Sequence, residues 1–397
     1  MFTVGFCLVC ALPLAVPAGA ADLPASAVEP VPTLVERLKA RSDAVRASPA
    51  TPGEAAERER TRIDFMHQGE TALSALDIDT ALRKFEAAAS ILHSADSEMS
   101  LIRTYMQGGH YRRALSFSAH TAGAHLDTPS GAALYGWLLF LGGQQVAARS
   151  VIEGALRRAP VDPVVLFVAT ALKSDAANEE GLPLAPPARL APYPMPMVTP
   201  RGVRMIASGT LIDRGQRVVV PGNGLAMGTT ILVRNGLGQM SRGRVERILR
   251  GSGASIAMLE RPLSLPEQMS LATRDPFPGS VAYAVEFAAT ADASPRWPML
   301  HAGFAGSPLG PTKGRALGIV VPAGPRGGPV FDDRGRLVGI ALPGTNGPDR
   351  LLLPSELPAS KAKRVEVASA AADPQRMGID EIYERALQVT VQVFAIR

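Results

Sequence analysis

The apolar periodicity of this chain changes once, and that change limits the fold more than any other feature. From about residue 56 to 176, apolar side chains recur at three- and four-residue spacing, the mark of amphipathic helices. From about 198 to 360, runs such as RVVVPG, TTILVRNG, SIAMLE, VAYAVEF and LVGIALP are short and separated by Gly- and Pro-containing turns. A Pro-rich stretch at 177–197, including GLPLAPPARLAPYPM, lies between them and reads as an extended linker. The pattern predicts an α-helical domain followed by an all-β barrel or sandwich.

Residues 2–20, FTVGFCLVCALPLAVPAGA, are apolar and end in small residues, which predicts a signal peptide over 1–20 and an exported protein. The competing reading is a short membrane anchor; Pro13 and Pro17 interrupt the run, which is short for a span. Export means the periplasm if the source is a Gram-negative bacterium. Both cysteines, Cys7 and Cys10, fall in this segment, so a processed chain carries no disulfide, thiolate metal site or cysteine nucleophile. No lipid anchor and no transmembrane span in the mature chain are expected. Residues 21–55, rich in Ala, Pro and Ser, read as a linker with a short helix at 33–46.

The helical region repeats. DIDTALRKFEAAA, GGHYRRALSFSAH and GGQQVAARSVIEG place Ala81, Ala114 and Ala148 at successive steps of 33 and 34 residues. Gly69, Phe85 and Ala88 belong to the first unit, and Tyr105, Gly109 and Tyr111 to the middle and weakest one. Gly136, Gly143, Ala155 and Pro160 belong to the third. This period resembles the tetratricopeptide repeat (TPR), in which small residues let paired helices cross closely. The resemblance implies a three-unit solenoid over 56–176, capped by a helix at 163–175; an irregular helical bundle is the alternative. The histidines here, His67, His93, His110, His120 and His125, show no tight ligand spacing, and His120 with His125 makes a poor pair. No metal and no cofactor are expected.

The β region, 198–360, resembles the trypsin-like double barrel, and most closely its HtrA-type branch. Three segments carry this in the family's order: SGTLID from Ser208, SIAMLE from Ser255, and GPRGGPVFDDRGRLVGIAL from Gly324. LLLPSELPAS matches the segment that closes the domain. The resemblance implies a multidomain fold, α plus all-β, with a helical solenoid before a double β-barrel. It also puts Arg326 where the nucleophilic serine belongs, Asn223 where the histidine belongs and Ser255 at the aspartate position. All three triad roles are then vacant, and the expectation is a pseudoprotease. His301, on a strand of the second barrel, reads as an ordinary half-buried residue.

Gly324, Gly327 and Gly328 surround Arg326, and two readings of that cation stay open. It makes a carboxylate-binding pocket in the old cleft, or it plugs the cleft by pairing with Asp332, Asp333 or another local acid. The tail, 377–397, reads as a short helix and a strand after a linker at 361–376. The strand either folds back to fill the first-strand position of the barrel or pairs with another chain.

With 46% hydrophobic and 19% charged residues, the composition suits globular folding. A net charge of +5 without a basic, aromatic-interleaved stripe excludes a nucleic-acid footprint. The function expected is an exported scaffold that binds other exported proteins or peptides, through the repeat groove and the degenerate cleft. The alternatives are an active endopeptidase with a misassigned site, and a spacer whose recognition lies only in the repeats.

Overall fold

The computed structural model describes residues 29–173, 202–357 and 376–396, apart from 223, 250, 264, 266–270, 273, 288–296, 311–313, 322–325 and 345–346. The expected signal peptide, the Pro-rich linker, and the tail linker before Arg376 lie outside the described residues.

Among the described residues eight helices come first: α1 (Val31–Ala47), α2 (Pro52–Ser74), α3 (Ile78–Ile91), α4 (Ala95–Gln107), α5 (Tyr111–Ala124), α6 (Pro129–Leu141), α7 (Gln145–Arg158) and α8 (Pro163–Lys173). The stretch 21–55 was expected as a linker with a short helix at 33–46; that helix is α1, but it belongs to the helical core and not to a linker, because Leu34 and Leu38 are buried there. Four apolar residues on one face make that helix worth ordering, and a Thr51–Glu54 capping box with Pro52 then starts α2.

Pairs α2–α3, α4–α5 and α6–α7 are hairpins with one turn chemistry. Asp77 N donates to Ala72 O, His110 N to Tyr105 O and Gln144 N to Leu139 O, the six-to-one bond of a Schellman turn. The left-handed residue is Leu76, Gly109 or Gly143. These turns recur at the same steps of 33 and 34 residues as Ala81, Ala114 and Ala148, all fully buried. A helix at Gly69 without a side chain accepts the Phe85 ring, and Gly136 accepts Ile152.

Twelve strands follow among the described residues: β1 (Val203–Ile212), β2 (Arg217–Pro221), β3 (Thr230–Asn235), β4 (Met240–Leu249), β5 (Ala254–Leu259), β6 (Val281–Glu286), β7 (Met299–Pro308), β8 (Arg315–Gly318), β9 (Pro329–Asp332), β10 (Leu337–Leu342), β11 (Arg350–Leu352) and β12 (Thr390–Ile396). They close into two antiparallel barrels of six, in the orders β1-β12-β3-β4-β5-β2 and β10-β11-β8-β7-β6-β9. The molecule is thus a helical domain followed by a trypsin-like double β-barrel. The first barrel is filled by Leu211, Val218, Val220, Ile231, Val233, Val245 and Ala257. Val219 and Ile256, on the opposite face of their strands, pack with Ile340, Leu342 and Leu352 to join the barrels.

The tail enters this architecture within the same chain. Helix α9 (Ile379–Val389) runs straight into β12, which pairs with β1 from Val203↔Ile396 to Thr210↔Thr390 and with β3 on its other edge. Helix α9 buries Ile382, Tyr383, Ala386 and Leu387 in the core of the helical domain, which also takes in Trp297, Leu300 and Phe331 of the second barrel. Tyr383 packs edge-on against Tyr111 at 4.6 Å and donates to Pro298 O at 2.7 Å. Trp137 lies 4.8 Å from Trp297, and Gln107 donates to Leu237 O at 2.7 Å.

Candidate functional site

The junction of the barrels collects the segments that carry the family resemblance. Strand β1 supplies Ser208 and Thr210, the end of β2 supplies Pro221, and the loop before β9 supplies Arg326, Gly327 and Gly328. Thr210 Oγ1 donates to Gly327 O at 2.8 Å. Gly222 N donates to Gly253 O at 2.7 Å, which ties the β2 end to the turn before β5. Gly327 has φ +128, and a Cβ there would overlap the Ser208 carbonyl and the Pro221 ring. At Gly328 a Cβ would overlap the Val285 carbonyl and the Glu286 carboxyl. Two glycines are therefore required so that backbone can lie on backbone.

Arg326 is buried in this loop. Its Nε donates to Asp349 Oδ2 at 2.6 Å, and its Nη2 donates to Val321 O at 3.0 Å. Asp349 Oδ1 accepts from Gly344 N at 3.3 Å, so the pair ties the loop to the β10–β11 connection. Neither acid named from the sequence is the partner. Asp332 binds Arg336 at 2.7 Å, and Asp333 binds Arg376 at 2.9 Å.

Ser255 pairs with Val220 across β2 and β5, on the same face as Ala257 and the first-barrel core. Its hydroxyl is buried, with no hydrogen-bond partner among the described residues. Asn223 and Gly324 lie outside the described residues. His301 sits on β7 opposite Ala284. Burial, with Arg326 adding to it, holds its imidazole down to about 4.

One residue that sequence reading passed over stands at the centre of the junction. Glu286, at the end of β6, is buried under the glycine loop, and its Oε1 accepts from Gly328 N at 3.0 Å. Burial pushes the carboxyl up to about 8, against the Ser208 hydroxyl, the Gly328 amide, Arg326 and the Gly327 amide. The signal available in the sequence was an acid closing an apolar strand, VAYAVEF.

The histidine expectation is corrected in the helical domain. Spacing along the chain suggested no cluster, but His93, His120 and His125 meet around the buried carboxylate of Glu98. Helix packing joins residues that the sequence separates.

No family model matches this chain, and no curated protein matches it. Among solved structures it is similar to the Rv3671c protease in its inactive form, at 15% identity over 39% of this chain and 84% of that one, with a TM-score of 0.30. That likeness is slight, and the trypsin-like description rests on the strand order of the two barrels.

Proposed function

We propose that this chain is an exported, non-catalytic peptide-binding scaffold, a tetratricopeptide-like array joined to a double barrel without protease chemistry. The observation that supports this most is Arg326, buried and bonded to Asp349 at the position the resemblance assigns to a nucleophile. A guanidinium stays protonated in proteins and has no lone pair to attack with. His301 is the chain's one histidine after residue 125, and an imidazole held near 4 is too weak a base to activate a hydroxyl at neutral pH.

The internal Arg326–Asp349 pair favours the plugged cleft over a carboxylate pocket. Recognition then belongs to the helical array. The recurring Schellman turns and fully buried alanines fit the tetratricopeptide pattern. A small cleft of about 250 Å³ between α7 and α8 is lined by Ile152, Leu156 and Leu172 beside Arg149, Glu153 and Lys173. Assistance in the assembly or quality control of other exported proteins is the role this reading implies.

The test exposes the purified protein to a diverse pool of unfolded peptides, with mass spectrometry scoring retained peptides and new termini. Retention without new termini is expected. New termini absent from a heat-killed control, or labelling by a serine-directed covalent probe, would replace the scaffold with an active protease. Equal retention by an Arg326→Ala variant is expected as well; lost retention would revive the pocket.

A further inference from the structure

His93 lies between α3 and α4, Glu98 in the first turn of α4, His120 in the last turn of α5, and His125 at its C-terminal cap. Their tips converge. Glu98 Oε1 lies 2.8 Å from His93 Nε2, 3.3 Å from His125 Nε2 and 3.4 Å from His120 Nε2. The donor atoms of His93, Glu98 and His125 all lie within 4.8 Å of one another. Glu98 is fully buried, while the three side chains around it are 10%, 18% and 30% exposed for His93, His125 and His120.

These atoms crowd together without satisfying one another. Among the described residues, none of the three Nε2 atoms makes a hydrogen bond, and neither does Glu98 Oε1. Leaving four polar atoms buried in that state costs free energy unless something else satisfies them.

We propose that His93, Glu98 and His125 hold a divalent transition-metal ion, zinc above all, and that His120, whose Nε2 lies 3.4 Å from Glu98 Oε1, turns in as the fourth ligand of a tetrahedral site. A cation at the centre turns the unsatisfied lone pairs into ligands. Zinc bonds of about 2.0–2.1 Å put tetrahedral ligand atoms about 3.3 Å apart, and two of the nitrogen–oxygen spacings are 3.3 and 3.4 Å. Thr121 Oγ1 donates to Glu98 Oε2 at 2.6 Å, which fixes the carboxylate and leaves Oε1 to bind the ion. Three imidazoles with one carboxylate favour zinc, cobalt, nickel or copper over calcium or magnesium, which prefer an all-oxygen shell.

With His120 as the fourth ligand the shell is closed, so the ion is structural and not hydrolytic. The ligands join the ends of α3 and α5 to the start of α4. They lie at the open end of the α4–α5 hairpin in the middle of the array, opposite the turn whose Gln107 and Gly109 dock on Leu237 of the first barrel. The ion therefore clamps the end of the hairpin that no turn closes.

The test uses the untagged full chain, stripped with a chelator and titrated with Co²⁺ alone. About one equivalent per chain and the intense visible bands of a tetrahedral ion are expected, displaced by Zn²⁺. Zn²⁺ should also raise the melting temperature of the stripped protein. Glu98→Gln and His93→Ala should weaken binding by more than about 100-fold, whereas His67→Ala, which changes an exposed residue, should not alter it. Wild-type protein that gives no tetrahedral bands and melts identically with and without Zn²⁺ overturns the site, whether or not the variants fold. Stabilisation by mild acid with no response to metal would instead make the cluster a charge hub around Glu98.

Discussion

Replacing Glu286 with Gln measures what the buried acid costs the barrel junction. The side chain is 2% exposed, and Oε2 has no hydrogen-bond partner among the described residues. Its pKa is pushed from an ordinary 4.5 up to about 8. Between those values the folded chain holds a proton that the unfolded chain has released. The stabilisation is therefore complete below the unfolded value, declines as pH rises, and is gone above the folded value. At about 1.4 kcal/mol per pH unit, the whole window amounts to at most about 5 kcal/mol, and water entry would reduce it.

Gln keeps the acceptor for Gly328 N and removes the charge. At about pH 5, where the native acid is mostly neutral, Glu286→Gln should leave stability nearly unchanged. At about pH 8.5 it should stabilise by roughly 3–5 kcal/mol, and most of the wild-type decline between those pH values should vanish. Guanidinium unfolding followed by tryptophan fluorescence suits the assay, because Trp137 and Trp297 meet where the helical domain joins the second barrel. Parallel pH profiles for the two proteins would refute the reasoning, as would a variant less stable at every pH.

Gly327→Ala should cost at least about 3 kcal/mol in the same denaturation assay, because positive φ and a clash with the Ser208 carbonyl act together. Leu76 holds φ 63 in the first hairpin turn, so Leu76→Gly should raise the midpoint of thermal unfolding by relieving strain of about 1 kcal/mol. A double-mutant cycle on Arg326→Ala and Asp349→Ala should return a coupling of about 1–3 kcal/mol; coupling near zero would mean the pair is not formed in solution. Removal of residues 390–396 should abolish the β-domain unfolding transition, because β1 and β3 both lose the strand between them.

Much of the fold was open to sequence reasoning because it rests on local periodicity. Period-two runs with turn residues mark ten of the strands, and the hairpin around Asp333–Gly335 turns with Gly335 at φ 68. The repeat was legible because Schellman turns demand Gly or a tolerant residue at a fixed offset. Helix α1 was legible as a short helix at 33–46, but its place was not: the burial of Leu34 and Leu38 in the helical core comes from tertiary packing that no local pattern marks. The site was less open. Asp349 lies 23 residues from Arg326, and nothing local marks it as the partner. The histidines failed a spacing test because their ligand geometry comes from the ends of three helices brought together by packing, not from an i, i+4 pattern on one. Glu286 escaped notice because a strand-terminal acid is ordinarily solvated.

The last segment of the chain explains why the helical domain and the barrels form one structure. Strand β12 joins β1 across about 190 residues of sequence, so the first barrel cannot close until the end of the chain is in place. Within the array each hairpin pairs helices adjacent in sequence, so it can fold before that. Once folded, they present Tyr111 to Tyr383, and Arg112 to Glu384 through a 2.5 Å hydrogen bond, on the helix that leads directly into β12. The array thus positions α9, and α9 delivers the missing strand. Because Ile382, Tyr383 and Leu387 lie in the same core as Phe117, Trp137 and Trp297, displacing the helix would open the helical domain and the first barrel together. The coupling runs through packed side chains and a covalent strand, so a change that loosens α5 should weaken barrel closure even though no residue of the barrel is altered.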